Sequence, residues 1–330
     1  MRQSLMIAGF LAALPTLAAA EKPQLTVYTY DSFTADWGPG PAIAKAFEAT
    51  CDCTIKYVTA GDAAALLSRV LLEGKGGKAD VVVGLDTNLT EQARQSGLFA
   101  PAPALSVSYD LPVKWTDTTF VPYDWGYFAF VYDKTRLSAP PADFKALGAS
   151  KLKIVIEDPR SASPGLGLLM WVKKAYGDQA GEVWKGLADN IVTVTPGWSE
   201  AYGLFLKGEA DMVLSYTTSP AYHIEAEKDD TKAAAPFTEG HYMQIEVAGK
   251  MAGAKEPALA DRFLAFLAGP EAQAILPETN WMYPVVTPKG GLPASFATLI
   301  KPEKALLFSP EEAAATRSAA TEEWRAALSK

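Results

Sequence analysis

The chain has 330 residues, 49% of them hydrophobic, and carries 30 basic against 38 acidic side chains for a formal net charge of −8. That acidity argues against nucleic acid or an anionic membrane surface as partner. With 2 histidines and 2 cysteines, little is left from which to build a zinc centre or a His-based triad.

Residues 1–20 place Arg2 ahead of an apolar run from Leu5 to Leu17 and end in Ala18-Ala19-Ala20. This is the pattern of a secretory signal peptide with an A-x-A cleavage site, too short in its apolar run to span a bilayer. It predicts an exported chain with no membrane insertion, and the lack of Cys at the cleavage site argues against a lipid anchor. About 310 residues remain, more than one hydrophobic core usually supports, so two lobes are expected.

Leu25 to Tyr30 alternates as a strand and runs into a loop, Asp31 to Pro41, that holds Phe33, Trp37 and the carboxylates of Asp31 and Asp36. Rings beside acid suit an organic cation, held through the ring quadrupole and a full countercharge. The same rings are equally at home in a core. Tyr30, Asp31 and Trp37 form the first candidate cluster. Gly40-Pro41 opens a helix over 42–49, and Cys51 and Cys53 follow at a turn where an oxidising compartment permits a disulfide. Thr54 to Val58 is a strand, Asp62 is placed to cap a helix over 63–72, and 79–85 is an apolar, β-branched run of the kind buried on both faces of a parallel sheet.

Phe120 to Tyr132 is too long and too aromatic for an ordinary strand and reads as a crossover between lobes. A second α/β unit follows: strand 153–157, helices 165–176 and 179–188, strand 191–195, helix 199–207 and strand 211–216. A return crossover is expected at His241 to Val247, then helices at 257–267, 270–275 and 310–328. No repeat, low-complexity tract or flexible linker interrupts the pattern. Two α/β lobes joined by two extended crossovers describe a clamshell with its ligand in the cleft, here divided as 21–124 plus 245–296 for lobe 1 and 125–244 plus 297–330 for lobe 2.

Ligands of open α/β sheets sit beyond the carboxyl ends of the strands, and several clusters fall there. Asp158 to Gly167 follows a strand and opens a helix, offering backbone N–H groups and hydroxyls to an anion, with Ser163 as N-cap and Pro164 in the first turn as the simpler account. Trp198 stands at a strand-to-helix turn next to Gly197. Ser215 to Tyr222 is a hydroxyl run bracketed by tyrosines, and Asn280 to Pro284 is either cleft wall or core plug. Neither His223 nor His241 has Cys, Asp or Glu at metal-ligand spacing, and no G-x-S-x-G, P-loop or G-x-G-x-x-G motif is present. The residues offer binding surfaces and no evident catalytic set.

With Leu25 to Phe33, Asp36 to Pro41, Thr119 to Asp124, Gly197 to Glu209, Leu214 to His223 and Asn280 to Pro284 in view, the chain resembles the thiamine-binding periplasmic proteins of bacterial ABC importers over nearly its whole mature length. The resemblance implies an α/β, two-lobed type II periplasmic-binding-protein clamshell with two hinge crossovers, working as a monomer in the periplasm. It implies thiamine, thiamine monophosphate and thiamine diphosphate (pyrophosphate) as transported ligands, delivery to a membrane permease, and no enzyme activity, resident cofactor or metal. Carried over by position, the ligand contacts are Tyr30, Trp37, Asp62, Ser163, Trp198, Tyr216, Thr217, Thr218, Ser219, Tyr222 and Trp281, with backbone contacts at Ala63 and Ala162. This chain reads Asp62-Ala63 where that family has Asp-Gly, and Ser161-Ala162-Ser163 where it has Thr-Ser-Thr. Rival readings are a binding protein for ferric ion or polyamine, and a thiaminase-like enzyme with a cysteine nucleophile.

Overall fold

The computed structural model describes residues 22–329, so the expected leader lies outside the described residues. The chain runs β1 (Gln24–Thr29), α1 (Pro39–Glu48), β2 (Thr54–Thr59), α2 (Ala63–Glu73), β3 (Val81–Asp86), α3 (Thr90–Gln95) and β4 (Phe120–Asp133). It continues through α4 (Phe144–Ala149), β5 (Ile154–Glu157), α5 (Ser163–Tyr176), α6 (Ala180–Leu187), β6 (Ile191–Thr195), α7 (Trp198–Leu206), β7 (Met212–Tyr216), α8 (Pro220–Tyr222), β8 (Lys232–Ala234) and β9 (His241–Lys250). It ends with α9 (Pro257–Leu267), α10 (Pro270–Thr279), β10 (Tyr283–Pro284), β11 (Ala305–Leu306) and α11 (Pro310–Leu328).

The strands form one mixed sheet in the order β2-β1-β3-β9-β4-β7-β5-β6. At either end the pairing is parallel, β1 with β2 and β3, and β5 with β6 and β7. Long β4 joins the two ends: Phe120 to Tyr127 pair antiparallel with β9, and Phe128 to Tyr132 with β7. The segment expected as a crossover is therefore a single 14-residue strand that changes partner halfway. Five of its seven aromatic residues are buried, while Trp125 and Tyr127 are half-buried.

Side chains segregate into a large apolar cluster that includes Phe130, Phe144, Trp171 and Trp184, and another around Phe33, Phe47 and Phe263. They are the two largest of four such clusters among the described residues, and the first draws on both halves of the chain, Tyr28 and Leu66 as well as Trp171 and Trp324. α10 runs on through Pro277 to Thr279, four residues past the expected stop, with Thr279 Oγ1 donating to the Ile275 carbonyl. The short helices α3 and α4, six residues each, carry too few periodic positions to stand out from sequence. Cys51 and Cys53 are joined by a disulfide in the turn between α1 and β2.

Candidate functional site

A cavity of about 530 Å³ opens beyond the carboxyl ends of β1, β5 and β7. Trp37, from the loop after β1, and Trp198, at the start of α7, meet over it with ring centroids 6.1 Å apart. Trp198 stacks on Tyr202 one helical turn later, at 5.0 Å, and its indole N–H donates to Ser215 Oγ at 2.8 Å. Ser215 in turn shares a hydrogen bond with Ser219, whose Oγ accepts from the Tyr216 N–H. The Trp198 ring is thus fixed in position, while Trp37 is 52% exposed. On the opposite wall Trp281 lies edge-on to Tyr222 at 5.7 Å. Its φ of 54° is in the left-handed region, a costly place for a bulky residue, just past the end of α10.

Tyr30 projects from the end of β1 into the cavity floor. Gly84, at φ 101° in a bulge of β3, makes room for it, since a Cβ there would lie 2.1 Å from the Tyr30 ring. The Tyr30 hydroxyl donates to Glu246 Oε2 at 3.0 Å, the Tyr123 hydroxyl donates to the same oxygen, and Gln244 Nε2 donates to Glu246 Oε1 at 2.8 Å. Tyr216 completes the array by donating to Gln244 Oε1 at 2.9 Å. Beside it Asn280 donates to Asp124 Oδ2 at 2.6 Å. Burial pushes the Glu246 carboxyl up to about 7 and holds that of Asp124 well above the ordinary carboxyl range, the Glu246 charge adding to the effect.

At the other end of the cavity the N-termini of α2, α5 and α7 converge on one carboxylate. Asp62 Oδ1 accepts from the Ala63 N–H at 2.7 Å and the Ser163 N–H at 3.2 Å, and the Trp198 N–H also bonds Asp62. Helix N-termini carry unsatisfied N–H groups and partial positive charge, so this point favours anions. Even so, burial leaves the Asp62 carboxyl above its usual value.

Of the residues singled out from sequence, Tyr30, Trp37, Asp62, Ser163, Trp198, Tyr216, Thr218, Ser219, Tyr222 and Trp281 all line the cavity. Asp31 does not: it is exposed, and its carboxylate accepts from the Gly61 N–H at 3.2 Å, tying the ends of β1 and β2 together. Thr217 is fully buried behind the wall. Ala63 and Ala162 are also outside the lining; the Ala63 N–H goes to Asp62, and that of Ala162 to the Asp158 carbonyl at 2.9 Å. Ser163 is not the N-cap. Ala162 holds that position and Ser163 is the first helical residue, its hydroxyl donating to buried Asp86 at 2.7 Å. Spacing also missed a convergence at His223, whose Nδ1 lies 2.6 Å from Glu227 Oε2, with Asp229 close by. Those donors are already engaged, His223 Nε2 with the Tyr202 hydroxyl and Asp229 with Lys232.

Sequence reasoning missed Glu246 as a cavity residue and left Asn280 open between cleft wall and core plug; both line the cavity, as does Tyr202 beside Trp198. Glu246 carried a faint signal, the one acid inside the otherwise uncharged run His241 to Gly249. Neither cysteine lines the cavity, and both are in the disulfide.

A cleft of this kind in this sheet defines a protein that holds a small solute, and the chain belongs to the bacterial extracellular solute-binding proteins, whose family model matches residues 25–279. Within that class it is 54% identical to the thiamine-binding periplasmic protein of Salmonella typhimurium, over 97% of each chain. A solved structure of a periplasmic thiamin binding protein superposes with a TM-score of 0.92 at 53% identity, covering 96% of this chain and all of that one. Iron-bound HitA from Pseudomonas aeruginosa matches at a TM-score of 0.75 but 21% identity, over 92% of this chain and 99% of its own, and shares the fold.

Proposed function

We propose that this protein captures thiamine, thiamine monophosphate and thiamine diphosphate in the cleft and presents them to the membrane permease of an ABC importer, as a periplasmic monomer that leaves its ligand chemically unchanged. The observation that carries this reading is the arrangement of one cavity: aromatic walls from Trp37, Trp198, Tyr222 and Trp281, an acid floor at Glu246, and converging helix N-termini at Asp62. A thiazolium cation is attracted by ring faces and carboxylate, an aminopyrimidine stacks and hydrogen-bonds, and a phosphate suits converging helix N-termini. Each cation-π contact contributes about 0.5 to 2 kcal/mol, so tight binding needs several rings acting together, and the cavity has them. The names of the relatives support thiamine as the solute.

The change of partner along β4 supports a division into lobes at 21–124 plus 245–296 and 125–244 plus 297–330, with β4 and β9 as the hinge. Absence of turnover is supported by the cysteines, whose sulfurs are bonded to each other away from the cavity, leaving no thiolate to attack the vitamin.

Calorimetric titration with thiamine and its two esters tests the reading. One-to-one binding of all of them, with the vitamin recovered intact by chromatography after incubation with an amine or thiol acceptor, is expected. No measurable binding of any of them would overturn it, and release of free thiazole would move the protein to the enzymes.

A further inference from the structure

The register of the central sheet places three carboxylates in one row. Glu246 on β9 is the direct cross-strand partner of Asp86 on β3 and, on its other side, of Asp124 on β4. Directly opposed residues project to the same face with their Cβ atoms about 5 Å apart, where like charges repel. All three are buried, at 0%, 7% and 0% exposure in the order Asp86, Glu246, Asp124. Their hydrogen-bond donors are neutral: Ser163 and the Asn88 N–H for Asp86, Tyr30, Tyr123 and Gln244 for Glu246, and Asn280 for Asp124. Asp124 Oδ1 has no partner among the described residues. Of the row, Glu246 lines the cavity. Surrounding elements add more negative charge, Asp62 acting on Glu246 and Glu157 on Tyr216, while the Arg317 guanidinium acts on Asp86 in the opposite sense.

Ionising the whole row is unfavourable without a further cation. Burial and mutual repulsion keep protons on it near neutral pH, with Glu246 at about 7 and Asp124 well above its usual value. An opposite charge entering the cavity reverses that balance for the carboxylate it meets. We propose that Glu246 receives the positive charge of the bound ligand, and that one proton passes from the Asp86–Glu246–Asp124 row to solvent when a permanent cation binds. The inference rests on the thiamine reading and deepens it, because it makes capture of the vitamin pH-dependent and makes an uncharged analogue a poor competitor. The sign follows from linkage: where binding releases a proton, affinity rises with pH and falls as pH drops below about 7, by at most about tenfold per pH unit.

The test is calorimetric titration of the intact protein with free thiamine at about pH 6, 7 and 8, each in two buffers of different ionisation enthalpy. The thiazolium charge of free thiamine is permanent and its aminopyrimidine titrates below this range, so a proton released near pH 7 comes from the protein, whereas the phosphate esters titrate here and are left out. The expected result is a heat that differs between buffers by on the order of half to one proton released per thiamine near pH 7, with affinity falling on the acid side. Glu246→Gln should abolish both the release and the pH dependence, and Asp124→Asn should retain the release. Tight binding with equal heats in both buffers and a flat pH profile overturns the inference and leaves the thiamine reading standing. Absence of binding at every pH overturns both. A Glu246→Gln protein that binds and still releases the proton, or an Asp124→Asn protein that loses it, removes Glu246 from the role. If Glu246→Gln does not fold, the wild-type linkage and Asp124→Asn still decide.

Discussion

The Asp62 carboxylate, at the start of α2, reaches the Ser163 N–H at the start of α5, 3.2 Å away and on the far side of the cleft. One carboxylate therefore stands where a phosphate ester would seek the same N–H groups. Its contacts tie the two sides of the cleft together, and they also set up a competition.

Asp62→Asn should shift the preference of the site toward the phosphate esters. Removing the charge takes away repulsion of a phosphate and, at the same time, one attraction for the thiazolium. At an effective surface dielectric the change is on the order of 1 kcal/mol or more in the difference between ligands. The ratio of dissociation constants for thiamine monophosphate and thiamine, by calorimetry, is the readout. An unchanged ratio would separate Asp62 from the phosphate end of the ligand.

Ser163→Ala should lower stability without changing that ratio. The Ser163 hydroxyl is committed to buried Asp86, and only its backbone N–H, which alanine keeps, faces Asp62. Leaving a buried carboxylate short of one donor costs about 1 to 3 kcal/mol, read as a drop in melting temperature. A selective loss of ester binding at unchanged melting temperature would show that the hydroxyl turns toward the ligand.

The two tryptophans at the mouth should differ. Trp198 is held by its stack on Tyr202 and its hydrogen bond to Ser215, so it presents its face at little entropic cost, whereas Trp37 is half exposed. Trp198→Ala is expected to weaken thiamine binding by about 1 to 3 kcal/mol, and Trp37→Ala by less. Thiamine should also quench intrinsic fluorescence in the wild type, less so in Trp198→Ala. Equal losses in both variants would mean that pre-organisation of Trp198 contributes nothing.

Stability without ligand should be highest on the acid side of neutrality. Burial lifts Glu246 to about 7 and raises Asp86, Asp124 and Glu157. Between the ordinary carboxyl pKa and pH 7 the folded chain therefore holds protons that the unfolded chain has released, and stability falls as pH rises through that window. In the other direction, hydrogen bonds from Thr231 hold Asp229, and from the Thr287 N–H hold Asp110, below their usual values, so stability is lost as pH falls through about 4 and below. The melting temperature measured by circular dichroism should peak near pH 5, with a shallower decline toward pH 7 in Glu246→Gln. A melting temperature that climbs steadily from pH 5 to 7 would contradict the buried protons.

Local pattern was enough for most of the elements. Alternation marked β2, the continuous apolar run marked β3, and a terminal helix was expected over 310–328, where the structure adds a full capping box of Ser309 and Glu312. Because loops that leave parallel strands gather at one end of the sheet, the sequence also indicated which aromatic residues would share a cavity, Trp198 and Tyr222 among them. Side-chain partners across long separations were beyond its reach. Asp31 looked like a cation ligand from its neighbours, yet the Gly61 N–H, 30 residues away, turns it outward. Ser163 fitted an N-cap, yet Asp86 takes its hydroxyl from 77 residues away. The carboxylate row depends on the register of three strands that are distant in sequence, including the bulge at Gly84 and another between Pro122 and Asp124. A one-residue slip at either bulge would send the acids to opposite faces. Periodicity is a property of a segment, and the chain alone specifies it; which charges meet is a property of register and packing, and only the folded sheet decides it.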